Sequence, residues 1–366
     1  DLAFWGIGGP RMRDSGVHLV VDAAELAVVG ISEVLGQFPA IYRGFRRARR
    51  LLRELSPDLL VLIDFPDFNL RLAAVARRLG IPVLYYISPQ IWAWRRGRVR
   101  QIGRRVDHMA VILPFEADFY RRHGVPATFV GHPLMDREWP ASPRPGGEVH
   151  TLGLLPGSRN SEVRHLLPLL LEAARRIQAR RPGMRILLSQ ADSVDPNLAA
   201  QIRRRCGEPR QLEVVPNADA VFRSADLVVA ASGTVTLEAA ICGVPLVVVY
   251  RVSPLSYRLG KALIRVPHIS LVNLIAGRAV VPELVQTEAA PDRVAAVVLG
   301  LADDPEGLAA MRRGLAEVRR RLGEGGASRQ VAGLALELLG RGRRRDSQGR
   351  EAGARNGVSP AAARMA

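Results

Sequence analysis

An α/β fold built on parallel, doubly wound sheets is what this sequence predicts. Short β-branched runs alternate with helix-period stretches along almost the whole chain, the pattern of repeated βα units rather than of hairpins. Twice, an apolar run passes through a glycine-bearing turn into a helix, at Leu155-Pro-Gly-Ser-Arg159 and at Ala230-Ala-Ser-Gly-Thr234. With 366 residues, 48% hydrophobic and only 5% aromatic, the chain is long enough for two ordinary α/β cores.

In the first half, strands are expected at His18–Val21, Leu59–Ile63, Val83–Tyr86, His108–Ile112 and Thr128–Val130, with helices between them. Asp67 serves the helix reaching Leu79 as its N-cap or first-turn acid. The Pro- and Gly-rich stretch Pro133 to Gly147 reads as a linker. A second half opens with the strand Thr151–Leu155. Further on, the run Asp226–Ala230 is a strand, Ser232-Gly-Thr234 a tight loop, Leu237–Ile241 the start of a helix and Leu246–Tyr250 another buried strand. Helices from about Pro305 to Leu339 close the fold. The expected organisation is a first domain over 1–132, a linker over 133–150, a second domain over 151–325, a closing helix over 326–340 and a disordered basic tail over 341–366.

Net charge is +17, and Lys261 is the single lysine. Arginines cluster at Arg43 to Arg53 and at Arg95 to Arg105; skewed base composition would give the same bias, yet the surfaces are positive whatever its origin. No zinc-finger, RNP or helix-turn-helix signature accompanies them, so nucleic acid is not the expected partner. An anionic membrane surface or a phosphorylated lipid is. No apolar run approaches the ~18 residues that cross a bilayer. Cys206 and Cys242 form no C-x-x-C pair, which suits a reducing cytoplasm, and the seven histidines lack ligand spacing, so neither a metal nor another cofactor is expected.

Several residues carry chemistry. Ser232, Gly233 and Thr234 suit a phosphate at a helix start, where free N–H groups and the positive end of the dipole meet the anion. One turn on, Glu238 is placed to accept hydrogen bonds from sugar hydroxyls. The competing reading is a βα turn in which Ser232 caps the helix. Gly157 and Ser158 would let a ligand approach the backbone, and Arg159 offers a fork of donors to phosphate oxygens. Asp64 follows a strand at the end where such sheets place ligands, as a general base or as a helix cap. Asn273 either binds ligand or satisfies loop backbone. Ser88 and Gln90 lie beside Trp92 and Trp94, of which at least one is expected to pack in the core. His132 either meets substrate near the hinge or shapes a turn. Ile31, Val34, Leu35, Phe38, Ile41 and Tyr42, followed at once by arginines, read as a membrane-contact stretch, or as an amphipathic helix packed on its own domain.

Gly8-Gly-Pro-Arg-Met12, Ile63-Asp-Phe-Pro-Asp-Phe-Asn69, Tyr86-Ile-Ser-Pro-Gln-Ile-Trp-Ala-Trp-Arg95, Leu113-Pro-Phe-Glu116, Gly131-His-Pro133, Leu155-Pro-Gly-Ser-Arg159 and Ser270-Leu-Val-Asn-Leu-Ile-Ala-Gly-Arg278 occur in an order that resembles the lipid-A-disaccharide synthases. The likeness runs from about Phe4 to about Leu339. It implies a GT-B-like glycosyltransferase, two Rossmann-like domains facing each other across a cleft, with the first lacking its opening βα unit. It also implies inverting, metal-independent transfer of diacylglucosamine from UDP to the 6-hydroxyl of diacylglucosamine 1-phosphate (lipid X). Asp64 would be the catalytic residue and Arg159 the family's important arginine, on either the donor diphosphate or the acceptor phosphate. Partners would be UDP-diacylglucosamine, lipid X and the anionic inner face of the cytoplasmic membrane, with a homodimer left open. The rivals are another user of UDP-N-acetylglucosamine, namely a 2-epimerase or a lipid-linked transferase, and a non-catalytic membrane or nucleotide binder.

Overall fold

The computed structural model describes residues 2–22, 34–140, 148–253, 257, 258, 260 and 266–340, with the side chains of 34–40 left aside. In the first half, β1 (Trp5–Gly8), α1 (Pro10–Asp14), β2 (His18–Asp22) and α2 (Val34–Leu55) precede β3 (Leu60–Ile63), α3 (Pro66–Arg78) and β4 (Val83–Tyr86). Then come α4 (Ile91–Trp94), α5 (Arg98–Gly103), β5 (His108–Val111), α6 (Pro114–Arg122) and β6 (Ala127–Phe129). Strands β3 to β6 form a four-stranded sheet in sequential order, all parallel, while β1 and β2 pair with each other. Strand β4 is buried along its whole length, as a parallel strand covered on both faces must be.

The second half holds β7 (Thr151–Leu155), α7 (Asn160–Arg180), β8 (Arg185–Ser189), α8 (Pro196–Cys206), β9 (Leu212–Val215), α9 (Ala218–Phe222), β10 (Leu227–Ala231), α10 (Thr234–Cys242), β11 (Leu246–Tyr250) and β12 (Glu283–Val285). Its sheet runs β12-β11-β10-β7-β8-β9, parallel throughout. Counted from β7, this is the doubly wound order in which the chain reverses direction between the first and fourth strands. One apolar layer packs α7 and the helix Pro291–Ala302 on one face; α10 and the helices Leu271–Ala276 and Pro305–Arg321 cover the other.

Two segments join the halves. Residues 131–136 cross over as the linker, and the chain returns at 322–326 to a closing helix over 327–340, whose Val331 packs with Leu84, Tyr86, Ala110 and Val130 of the first sheet. The crossings touch: His132 N–H donates to Leu322 O at 2.8 Å, and the Asp136 carboxylate accepts the N–H groups of Gly326 and Ala327 at 2.6 and 3.1 Å, capping the closing helix. Gly131 and Gly323 both have positive φ, +82° and +95°, and a Cβ on Gly323 would stand 3.3 Å from the Gly131 Cα. Only glycine suits the backbone at both positions.

Within α2, the membrane-contact expectation needs correcting at Ile41. Ile41 and Phe45 pack against the first-half core beside buried Ala48 and Leu52, while Tyr42, Arg43, Arg46, Arg47 and Arg50 are exposed. This is the amphipathic alternative: an apolar stripe turned inward and a basic face outward. Ile31, the side chains of Val34, Leu35 and Phe38, linker residues 141–147 and the tail 341–366 lie outside the described residues. Among the described residues no helix is long and apolar enough to cross a membrane.

Candidate active site

The reversal point of the second sheet lies between β7 and β10, which are hydrogen-bonded neighbours with Leu155 opposite Ala230. Chains leaving these strands diverge, opening a crevice at their carboxyl ends. Pro156-Gly-Ser-Arg159 leaves the end of β7 and Ser232-Gly233 the end of β10, so the two sequence-predicted loops start from adjacent strand ends.

On the β10 side, Ser232 Oγ donates to Ile269 O at 3.3 Å instead of capping α10. Gly233 occupies the N-cap with extended backbone, no side chain caps the helix, and a Cβ on Gly233 would meet open space. By contrast α8, α9 and the helix Pro305–Arg321 are capped by Asp195, Asn217 and Asp304. Thr236 N–H bonds to Gly233 O at 3.1 Å, and the amides of Thr234 and Val235 at the start of α10 are left for an external anion, with exposed Thr234 beside them. Glu238, one turn further on, is half-buried and makes no hydrogen bond among the described residues. Burial raises its pKa, opposed by Arg137 and reinforced by Asp219. Arg137 itself pairs with Asp219 and lies over the Trp139 ring at 3.7 Å.

On the β7 side the anion is already supplied by the protein. Glu162, at the third position of α7, accepts the N–H groups of Ser158 and Arg159 at 3.0 and 3.3 Å and pairs with the Arg159 guanidinium at 2.8 Å. Gly157 has φ of +115°, and a Cβ there would stand 2.4 Å from Glu162 Oε2. What Gly157 admits in this structure is the Glu162 carboxylate, which corrects the expectation of a ligand there. The Arg159 side chain stays 77% exposed, leaving most of its fork without a protein partner. Glu162 also raises the pKa of Tyr250, after burial, which sets the end of β11 near this wall.

Asp64 is exposed at the carboxyl end of β3, and its carboxylate has no partner among the described residues. Its backbone is firmly held. Asp64 N–H donates to Tyr86 O at 2.9 Å, and Asp64 O accepts from Tyr85 Oη at 2.6 Å and from Asn69 Nδ2 at 2.7 Å. Asp64 and Phe65 both sit at positive φ, +48° and +43°. Two successive non-glycine residues in the left-handed region cost energy that the surrounding bonds must offset, a pattern common at reactive sites. Asp67 is a first-turn acid of α3 and pairs with Arg98 at 2.6 Å.

Three sequence-predicted residues turn inward. Asn273 is 1% exposed and spends both ends of its amide on the protein: Nδ2 donates to Val281 O and Glu283 Oε1, and Oδ1 accepts from Val280 and Val281 N–H. It fastens the segment before β12 and has no group left for a ligand. Ser88 is buried, donates to Pro89 O at 3.0 Å and meets Tyr120 Oη at 2.8 Å, again a packing role. His132 is buried, with Nδ1 accepting Leu134 N–H, and burial lowers its pKa to about 4, so it is a neutral turn residue at the crossing. Of the tryptophans, Trp92 is buried and Trp94 is 41% exposed.

Tyr250, Arg137, Glu162 and Glu116 were missed as contributors. Glu162 had a signal, since an acid three residues into a helix is the mark of a capping box. Glu116 lay in a quoted motif without a role.

Two parallel α/β halves, one with an uncapped helix start at its sheet reversal and the other with an unpaired carboxylate at the carboxyl end of its sheet, are the arrangement of a glycosyltransferase of the GT-B kind. Solved structures share the fold. The calicheamicin glycosyltransferase CalG4 matches with a TM-score of 0.56 and 18% identity over 93% of this chain and 91% of that one. A Neisseria meningitidis UDP-GlcNAc 2-epimerase bound to UDP-GlcNAc matches at 0.58 and 11% over 92% and 100%. Sequence separates these kinds: the lipid-A-disaccharide synthetase family model matches residues 1–318, and the chain belongs to that family. The lipid-A-disaccharide synthase of Geobacter sulfurreducens is 49% identical over 353 residues, covering 93% of this chain and 90% of that protein. That of Nitrosococcus oceani is 48% identical over 348 residues, covering 92% and 89%.

Proposed function

We propose that this chain moves a 2,3-diacylglucosaminyl group from UDP to the 6-hydroxyl of 2,3-diacylglucosamine 1-phosphate, with inversion. Asp64 takes the hydroxyl proton, O6 attacks the anomeric carbon from the face opposite UDP, and the bond to the diphosphate breaks with its electron pair leaving on UDP. The N–H groups opening α10, with Ser232, Gly233, Thr234 and the Arg159 guanidinium, receive the charge that grows on the diphosphate. Glu238 accepts from the ribose hydroxyls. Uncapped α10 at the reversal point is the observation that carries this reading, and family membership supplies the substrates.

In this reading residues 1–132 present the acceptor, 151–325 hold the donor, and the closing helix over 326–340 fastens the second half to the first. The exposed arginines of α2 meet the anionic inner face of the cytoplasmic membrane, where the acyl chains remain while the sugar reaches Asp64. Mass spectrometry of a micellar reaction with both acylated sugars tests the reaction: disaccharide 1-phosphate and UDP should appear in equal amounts. Calorimetric UDP binding without disaccharide would favour a nucleotide binder and overturn the proposal.

A further inference from the structure

Several arginines of the first half are engaged. Arg50 pairs with Glu54 at 2.7 Å, Arg77 with Asp107 at 3.0 Å and Arg98 with Asp67 at 2.6 Å, while Arg105 donates to Leu70 O at 3.0 Å. Among those that meet no carboxylate, two consecutive ones directly follow α4, in the loop that leaves β4 beside Asp64. Arg95 and Arg96 are exposed and meet no carboxylate among the described residues. The Arg95 guanidinium lies 4.1 Å from the centroid of the Trp94 ring, and Arg96 uses only Nε, on Trp92 O at 3.2 Å.

A guanidinium placed over an indole ring keeps N–H groups for a further partner, and its fork of donors matches two oxygens of a phosphate. The segment presenting it is pinned at both ends. Behind it, Trp92 is buried and donates to Glu116 Oε1 at 2.9 Å; ahead of it, Arg98 pairs with Asp67. Its place in the sheet matters equally. Ile63 is in register with Tyr86, so the chains leaving β3 and β4 start side by side, and Asp64 N–H still bonds to Tyr86 O at 2.9 Å. Asp64 lies three residues before Asp67, and Arg95 three before Arg98. The ion pair between those two partners therefore ties the turn holding the free carboxylate to the loop holding the free cations.

We propose that Arg95 stacked on Trp94, seconded by Arg96, recognises the phosphate monoester of the acceptor sugar, while the opposite end of that sugar presents its hydroxyl to Asp64. This rests on the transfer reaction proposed above. It separates the two anion sites, leaving Arg159 to the donor diphosphate.

Steady-state kinetics with two acceptors tests it: the acylated glucosamine 1-phosphate, and the same lipid with a free 1-hydroxyl. Arg95→Ala should raise KM for the phosphorylated acceptor about tenfold, as expected for loss of a charge-assisted pair. KM for the phosphate-free acceptor and for the UDP-sugar should stay within about twofold. Arg95→Lys should recover part of the loss, and Trp94→Ala should show the same selective defect in weaker form. An equal loss on both acceptors, or a raised donor KM, overturns the site. Absence of disaccharide with either acceptor in the unmutated protein is a separate outcome, which brings down the reaction and this site with it.

Discussion

The indole N–H of Trp92 donates to Glu116 Oε1 at 2.9 Å, joining the loop after β4 to the turn that starts α6. The other oxygen of Glu116 accepts Leu113 N–H at 3.1 Å. Trp92 and Leu113 belong to the same apolar cluster as Leu237, Leu315 and Leu322 of the second half. A single buried carboxylate thus braces the surface on which the two halves meet.

Burial pushes the Glu116 carboxyl up to about 7, with the bonds from Leu113 and Trp92 opposing it. A folded-state pKa above the unfolded value means the native state holds the extra proton. Its contribution is complete below about pH 4.5 and is lost as pH rises through about 7. Urea titrations at pH 5 and pH 8 should show a loss, on the order of a few kcal/mol, that Glu116→Gln largely abolishes. An unchanged pH slope in the variant would refute the assignment.

Asp64→Asn keeps the strained turn, because the backbone bonds to Tyr85, Tyr86 and Asn69 do not involve the carboxylate. Turnover should fall by roughly 10²–10⁴ with UDP-sugar affinity retained. Near-normal kcat at neutral pH would remove Asp64 from the base role.

The two loop glycines separate structure from ligand binding. Gly233→Ala should change stability by less than about 0.5 kcal/mol, since its Cβ meets open space on extended backbone, yet weaken UDP binding roughly tenfold. Gly157→Ala should destabilise the fold by about 1–3 kcal/mol, because the new methyl displaces the Glu162 cap at an unfavourable φ. Calorimetry on both variants checks this, and full UDP affinity in Gly233→Ala would contradict the α10 site.

Asn273→Ala leaves the N–H groups of Val280 and Val281 and the Val281 carbonyl without their partner. Stability should drop by about 2–4 kcal/mol, with activity falling only as far as the folded fraction does. A fully folded variant with a large donor KM would instead return Asn273 to the binding site.

Much of the architecture was legible locally. Val83–Tyr86 and Leu246–Tyr250 are short apolar runs with few alternatives, and both form buried strands. The position of Asp64 was legible because it follows a short apolar run that could only be a strand. Strand order was not, since nothing local in β7 or β10 says that they are neighbours. The inward residues stayed ambiguous for a related reason: Asn273 and Ser88 stand in informative motifs, but a polar residue that holds a loop together and one that holds a ligand look alike until the partners are seen. At Ile41 the packed amphipathic helix was one of the two readings open, and the repeat of Ile41, Phe45, Ala48 and Leu52 at helical spacing favours it.

The paired crossings at His132–Leu322 and Asp136–Gly326 act like two pins set side by side in a door frame. With both chain passages bonded to each other, sliding or twisting one half against the other off the line through them would break the Asp136 cap. Gly131 and Gly323 meet on that line, so a bulky side chain at either should strain the crossing while leaving both sheets intact.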